Sequence, residues 1–78
     1  MNPRLELITF ISKELARDRA DVDVTRDSLV ETGIIDSVGI MKLVAFLEQR
    51  FGKKIGDEEL LPENFETVDA IVALLNSK

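Results

Sequence analysis

The sequence predicts a small all-α, four-helix bundle: three longer helices, one short one and a long first loop. Three observations carry that prediction. Apolar residues return at i, i+3, i+4 and i+7 in separate segments, and no segment alternates with the period of a strand. The 78 residues leave room for one core, hence a single domain over 1–78. A domain this small buries only about 60% of the surface its unfolded chain exposes. With no Cys and no His, neither a disulfide nor a zinc-type site reinforces it, so stability must come from helix packing.

The first helix is expected over Pro3–Arg17. Asn2 is its N-cap, and Pro3 occupies the first helical position, where a missing N–H is harmless. Leu7 or Ile8, Ile11 and Leu15 then mark the buried face. From Asp18 to Asp36 the pattern dissolves into Asp, Thr, Ser and Gly with scattered apolar residues: Val22, Val24, Leu29, Val30, Ile34 and Ile35. This reads as a long loop pinned to the core, a kind of segment that is often functional. Ser28 and Glu31 have capping-box spacing and predict one short turn within it.

Ile40, Leu43, Val44, Leu47 and Phe51 define one buried stripe of a helix over Ser37–Phe51, closed by Gly52. A short helix follows at Asp57–Leu61, halted by Pro62, with Phe65 as an anchor into the core. The last helix starts at the Thr67 N-cap and buries Val68, Ile71, Val72 and Leu75.

Charge and composition exclude several functions. The net charge of -5 and a pI near 4.6 argue against nucleic acid, which needs a basic surface, and point to basic protein partners. The acid is concentrated in 18–36 and 57–78, whereas 37–56 carries a positive balance. No run approaches the ~20 apolar residues of a membrane span, and the opening MNPRLELITFISK does not read as a signal peptide. A soluble, cytoplasmic protein is expected.

A serine after an aspartate, Asp36-Ser37, raises the possibility of a hydrolase. A nucleophilic serine needs a base, usually His, and none exists here. The nucleophile-elbow pattern fails because Ile35 stands where Gly is required. Lys42, five residues along the same helix, is expected on another face. No enzyme activity is therefore expected. The run DVDVTRD resembles the start of a calcium loop, but Arg26 stands where the turn needs Gly and Thr32 where the bidentate Glu belongs. Turn-forming loop residues explain it better.

Alone, Asp36 and Ser37 read as helix caps. Their context adds to that. A serine at a helix N-terminus is exposed, in a field that favours an added phosphate. Val38, Met41 and Ala45 form a second apolar stripe, off the buried one, that can serve as a docking face. Gly39 costs about 1 kcal/mol of helix propensity relative to Ala, and its missing side chain is expected to let a partner approach Ser37.

On these residues GIIDSVGIMKLVAFLEQRFG resembles the phosphopantetheine attachment segment of acyl carrier proteins and peptidyl carrier domains, whose hallmark is Gly-x-Asp-Ser-Leu opening the second helix. The likeness spans nearly the whole chain, including the short acidic helix at DEEL and the helix after Thr67. It implies a bundle of acyl-carrier type, with no catalysis of its own, to which a phosphopantetheinyl transferase adds 4′-phosphopantetheine from coenzyme A at Ser37. The arm's thiol then carries acyl, aminoacyl or peptidyl groups as thioesters. A monomer is expected, with an acyl- or amino-acid-activating ligase and acyl-processing enzymes as partners. Recognition residues on this reading are Asp36, Val38, Met41, Lys42, Ala45, Glu48, Asp57 and Glu58.

Carriers of fatty acid synthesis commonly have acids two and five residues after the serine; here Gly39 and Lys42 stand there, and Val38 replaces the usual Leu. The reversed charge, and the segment LLPENFETVDAIVALL, point to a stand-alone carrier of a specialised biosynthetic pathway. The alternatives are a general fatty acid synthesis carrier and an unmodified helical interaction module.

Overall fold

The computed structural model describes residues 2–78. Helix α1 covers Pro3–Phe10, and the Asn2 side chain accepts the Leu5 amide at 3.3 Å. Its continuation, Ile11–Leu15, widens into a π-turn, closed by the Ala16 amide donating to the Ile11 carbonyl at 2.8 Å. The helical path thus ends near Leu15, short of the expected Arg17. Ala16 leaves helical geometry at φ -118° and is buried together with Leu7 and Ile11.

The loop from Asp18 is ordered by local bonds and by apolar anchors. Asp23 accepts the Thr25 amide at 2.9 Å and also the Thr25 hydroxyl, while Asp27 accepts the Asp23 amide at 2.9 Å. The Thr25 hydroxyl, and after it the amide, holds the Asp23 carboxyl below the usual carboxylate range. These acids close turns of their own chain. Ser28 makes its single turn, accepting the Glu31 amide at 3.1 Å on its hydroxyl. Gly33, at φ 80°, reverses the chain in a conformation that side chains disfavour. Val24, Leu29, Ile34 and Ile35 are buried, Val22 packs half-buried on the core and Val30 is half-exposed.

Helix α2, Ser37–Phe51, has the expected bounds, and Gly52 closes it in the left-handed region at φ 67°. Leu43 and Leu47 are fully buried, with Ile40, Val44 and Phe51 packed beside them. The expected short helix is a 3-10 turn, Asp57–Glu59, and Pro62 opens a second one, Pro62–Asn64, instead of only ending the first. The Gly56 amide donates to Glu59 at 3.0 Å. Helix α3, Val68–Asn76, is capped by the Thr67 hydroxyl at 3.1 Å from the Ala70 amide. Its buried residues are Val68, Ile71, Leu74 and Leu75, so Leu74 takes the deep position and Val72 lies half-buried beside it.

The all-α architecture is therefore three helices with short turns in the connections. α1 packs on α3, and Phe10 of α1 stacks on Phe46 of α2 with ring centroids 4.1 Å apart. Phe65, which closes the second turn, is fully buried in the core. No helix among the described residues is long and apolar enough to cross a membrane.

Candidate functional site

Local chemistry at the start of α2 fixes the geometry around Ser37. Asp36 is the N-cap, extended at φ -118°, and its Oδ1 accepts the Gly39 amide at 2.7 Å. This bond satisfies one of the donors that a helix start leaves free. Ser37 is the first helical residue and is exposed. Among the described residues nothing hydrogen-bonds its side chain, so the hydroxyl points to no internal partner. Replacing Asp36 by Ala is expected to destabilise the protein by about 1 kcal/mol, with Asp36→Asn largely neutral; thermal denaturation of both variants checks this.

The second apolar stripe is open to solvent: Val38 is 63% exposed and Met41 64%, and Ala45 and Lys42 are exposed next to them. Gly39 plays a different part from the one expected. It is buried, and a Cβ there would lie 3.2 Å from the Ile34 carbonyl and 3.3 Å from Asp36 Oδ1. The space left by the missing side chain is filled by the chain's own loop, which packs against the helix start, so it is not an approach path to Ser37.

The remaining acids are dispersed. Glu48 accepts the Ile55 amide at 3.0 Å and borders a separate hollow with Lys53 and Lys54. It sits about 16 Å along α2 from Ser37, at 1.5 Å per residue. Asp57 and Glu58 are exposed on the 3-10 turn and do not border the hollow beside Ser37.

That hollow, about 220 Å³, is bordered by Glu14 and Leu15 from the π-turn, Ile34 and Asp36 from the loop, and Val38 and Lys42 from α2. The contributions of Glu14, Leu15 and Ile34 carry no signal in the sequence. They follow from the π-turn and from the packing of the loop on Gly39. A larger hollow of about 390 Å³ lies between α1 and Phe46. Phe46 is nine residues beyond Ser37, half a rotation away around α2, so this larger space opens on another side of the helix and shares Glu14 with the hollow beside the serine.

An exposed and unpartnered serine thus follows an aspartate cap at the start of a helix. Residues 6–75 match the family described as phosphopantetheine attachment site. The chain belongs to this carrier family. Its members carry intermediates and do not catalyse, and the cofactor of the family is covalent 4′-phosphopantetheine. Among curated proteins, the chain is 37% identical over 70 residues to a probable acyl carrier protein, PigG, of Serratia sp. (strain ATCC 39006), covering 90% of this chain and 80% of that protein. It is 38% identical over 72 residues to an acyl carrier protein homolog of Mycoplasmopsis pulmonis (strain UAB CTIP), covering 92% and 89%.

Two solved structures are similar to this carrier. One is a chain in a crystal structure of an FAD-dependent dehydrogenase, with TM-score 0.79 and 39% identity over 91% of this chain and all of that one. The other belongs to the Bradyrhizobium japonicum glycine:[carrier protein] ligase complexed with its cognate carrier protein and an analogue of glycyl adenylate. Its TM-score is 0.73 at 24% identity over 99% of this chain and all of that one, a likeness of fold. The residues present fit the cofactor of the family: Ser37 is exposed with no hydrogen-bond partner for its hydroxyl among the described residues, and Val38 and Met41 beside it are exposed too.

Proposed function

We propose that residues 1–78 form one carrier domain that acts as a cytoplasmic monomer and carries acyl or aminoacyl groups as thioesters on 4′-phosphopantetheine at Ser37, in a specialised biosynthetic pathway. The observation that carries this reading is the exposed Ser37 hydroxyl without an internal partner, placed at the first turn of α2 by the Asp36 cap. On a phosphopantetheinyl transferase, Ser37 Oγ forms a bond to the phosphorus that bears pantetheine in coenzyme A. The bond from that phosphorus to the bridging oxygen breaks, adenosine 3′,5′-bisphosphate leaves, and the hydroxyl proton passes to a base of the transferase.

The exposed stripe of Val38, Met41 and Ala45, with Lys42 beside it, serves as the docking face for the partner enzymes; Asp36, Glu48, Asp57 and Glu58 are its candidate acidic contacts. An amino-acid- or acid-activating ligase as the loading partner is supported by the likeness to the carrier of a glycine ligase complex. The likeness to a chain of a flavin dehydrogenase structure supports redox chemistry on the tethered cargo. Gly39 and Lys42, at positions commonly acidic in carriers of fatty acid synthesis, support a pathway other than that one. Incubation with coenzyme A and a broad-specificity transferase tests the central claim: intact mass is expected to rise by one phosphopantetheine unit. No rise, also in native cell extract, would leave an unmodified interaction module.

A further inference from the structure

We propose that the hollow beside Ser37 is a resting dock for the first part of the phosphopantetheine arm, with Lys42 pairing to its phosphodiester. The inference rests on Ser37 being the attachment residue. Both chain neighbours of Ser37, Asp36 and Val38, border the hollow, so an arm leaving the hydroxyl starts at its lip. About 220 Å³ corresponds to roughly seven water volumes at ~30 Å³ each. That suits the phosphate and the adjoining branched segment of the arm, and leaves the thiol end outside for partner enzymes.

The lining is mostly polar, as the phosphate end of the arm is, and within it Leu15, Ile34 and Val38 are the apolar side chains its geminal methyl groups can meet. Leu15 is supplied by the π-turn, a departure from α-helix geometry that is frequent at functional sites. It lies 3.8 Å from where a Cβ of residue 39 would stand, so the glycine and the π-turn together shape the floor. Lys42 is the one cation at the border of the hollow, and among the described residues it is in no ion pair. Lys42 lies about 140° around α2 from Ser37, yet it borders the same hollow as the two chain neighbours of Ser37.

Charge makes Lys42 decisive. Glu14 and Asp36 also border the hollow, and the Asp36 Oδ1 is already held by the Gly39 amide. A phosphodiester, with one negative charge, would meet two carboxylates there without Lys42. The cation offsets one of the two carboxylates and lessens the repulsion at the lip, and exposure makes the contact sensitive to salt.

The test compares apo and holo protein by amide NMR, after intact mass has confirmed loading by coenzyme A and a broad-specificity transferase. Docking is expected to move the amides of Leu15, Ile34, Gly39 and Lys42, well beyond the neighbours of the attachment point, and to give contacts from the arm's geminal methyls to Leu15 and Val38. Lys42→Met, at an exposed site that leaves the fold intact, is expected to return the remote amides to the positions of its own apo form. Lys42→Arg should keep the shifts, and raised salt should reduce them. Shifts confined to Asp36–Val38, or unchanged by Lys42→Met, would overturn the dock. Failure of the wild-type protein to gain mass would overturn the attachment reading, and the dock with it.

Discussion

Ser37→Ala is expected to abolish phosphopantetheine loading while leaving the fold untouched. Intact mass after incubation with coenzyme A and transferase should show one added unit on the wild-type protein and none on the variant. The loss is expected to be complete because the oxygen that forms the new bond is removed and the neighbouring residues offer no substitute: Asp36 holds the Gly39 amide, and Val38 is apolar. The stability change should stay within about 0.5 kcal/mol, the range of exposed substitutions away from caps and cores. Ser37 is exposed, its hydroxyl has no partner among the described residues, and the cap is the preceding residue. Alanine is also the best helix former. Undiminished loading of the variant would move the attachment to another hydroxyl, Ser28 or Ser12 among them, and end the reading of α2 as the carrier helix.

How much of this was legible in the sequence depended on whether a feature is local. The bounds of α2 were legible because cap, stripe and closing glycine all lie within the segment, and Asp36, Leu43, Leu47 and Gly52 behave as their types predict. The exposed stripe was legible for the same reason, since Val38 and Met41 fall outside the buried arc. The π-turn was not legible: Ile11, Leu15 and Ala16 read equally well as α-helix, and the wide turn is tied to burying Ala16. Nor was the role of Gly39, which depends on a carbonyl five residues earlier folding back to within 3.2 Å of its would-be Cβ. The hollow beside Ser37 follows from both, so it is a property of packing between distant segments.

The electrostatics of α2 show the same division. Net charge gave an acidic protein, yet the helix that bears Ser37 has one acid, Glu48, and that carboxylate holds the Ile55 amide where the chain leaves the helix. Arg50 is paired with Glu6 of α1. Lys42 is thus the charge that α2 presents beside the exposed apolar stripe. Over distances beyond roughly 8 Å, salt screens individual charges; the acidic balance therefore concerns solubility and approach, and Lys42 concerns contact. The docking face proposed here therefore favours a partner that places a carboxylate or a phosphate against it over one that presents only cations.

The largest loss of stability is expected from Phe65→Ala. Phe65 is fully buried, the largest such side chain here, and truncating a buried Phe costs about 3–5 kcal/mol. At roughly 0.05–0.15 kcal/mol per residue, a chain of this length has about 4–12 kcal/mol in all, so the variant keeps little reserve. At ~4–8 °C per kcal/mol for domains of 60–100 residues, Tm should fall by at least about 12 °C. The damage should spread beyond the cavity, because the next residue's carbonyl, on Glu66, accepts the Leu29 amide at 2.6 Å and Leu29 is itself fully buried. Loss of this anchor releases the long loop, whose Ile34 and Ile35 lead into the Asp36 cap. Hydrogen exchange in Phe65→Ala should therefore quicken at Leu29 and Ile35 more than at Leu47, in the middle of α2. A uniform rise would mean that the loop and the helices unfold as one unit, and a loss below about 1 kcal/mol, far under that of truncating a buried Phe, would remove Phe65 from the core. Ser37→Ala and Phe65→Ala thus separate two ways of losing a carrier: one keeps the helix and lacks the hydroxyl, the other keeps the hydroxyl and loses the loop that positions it.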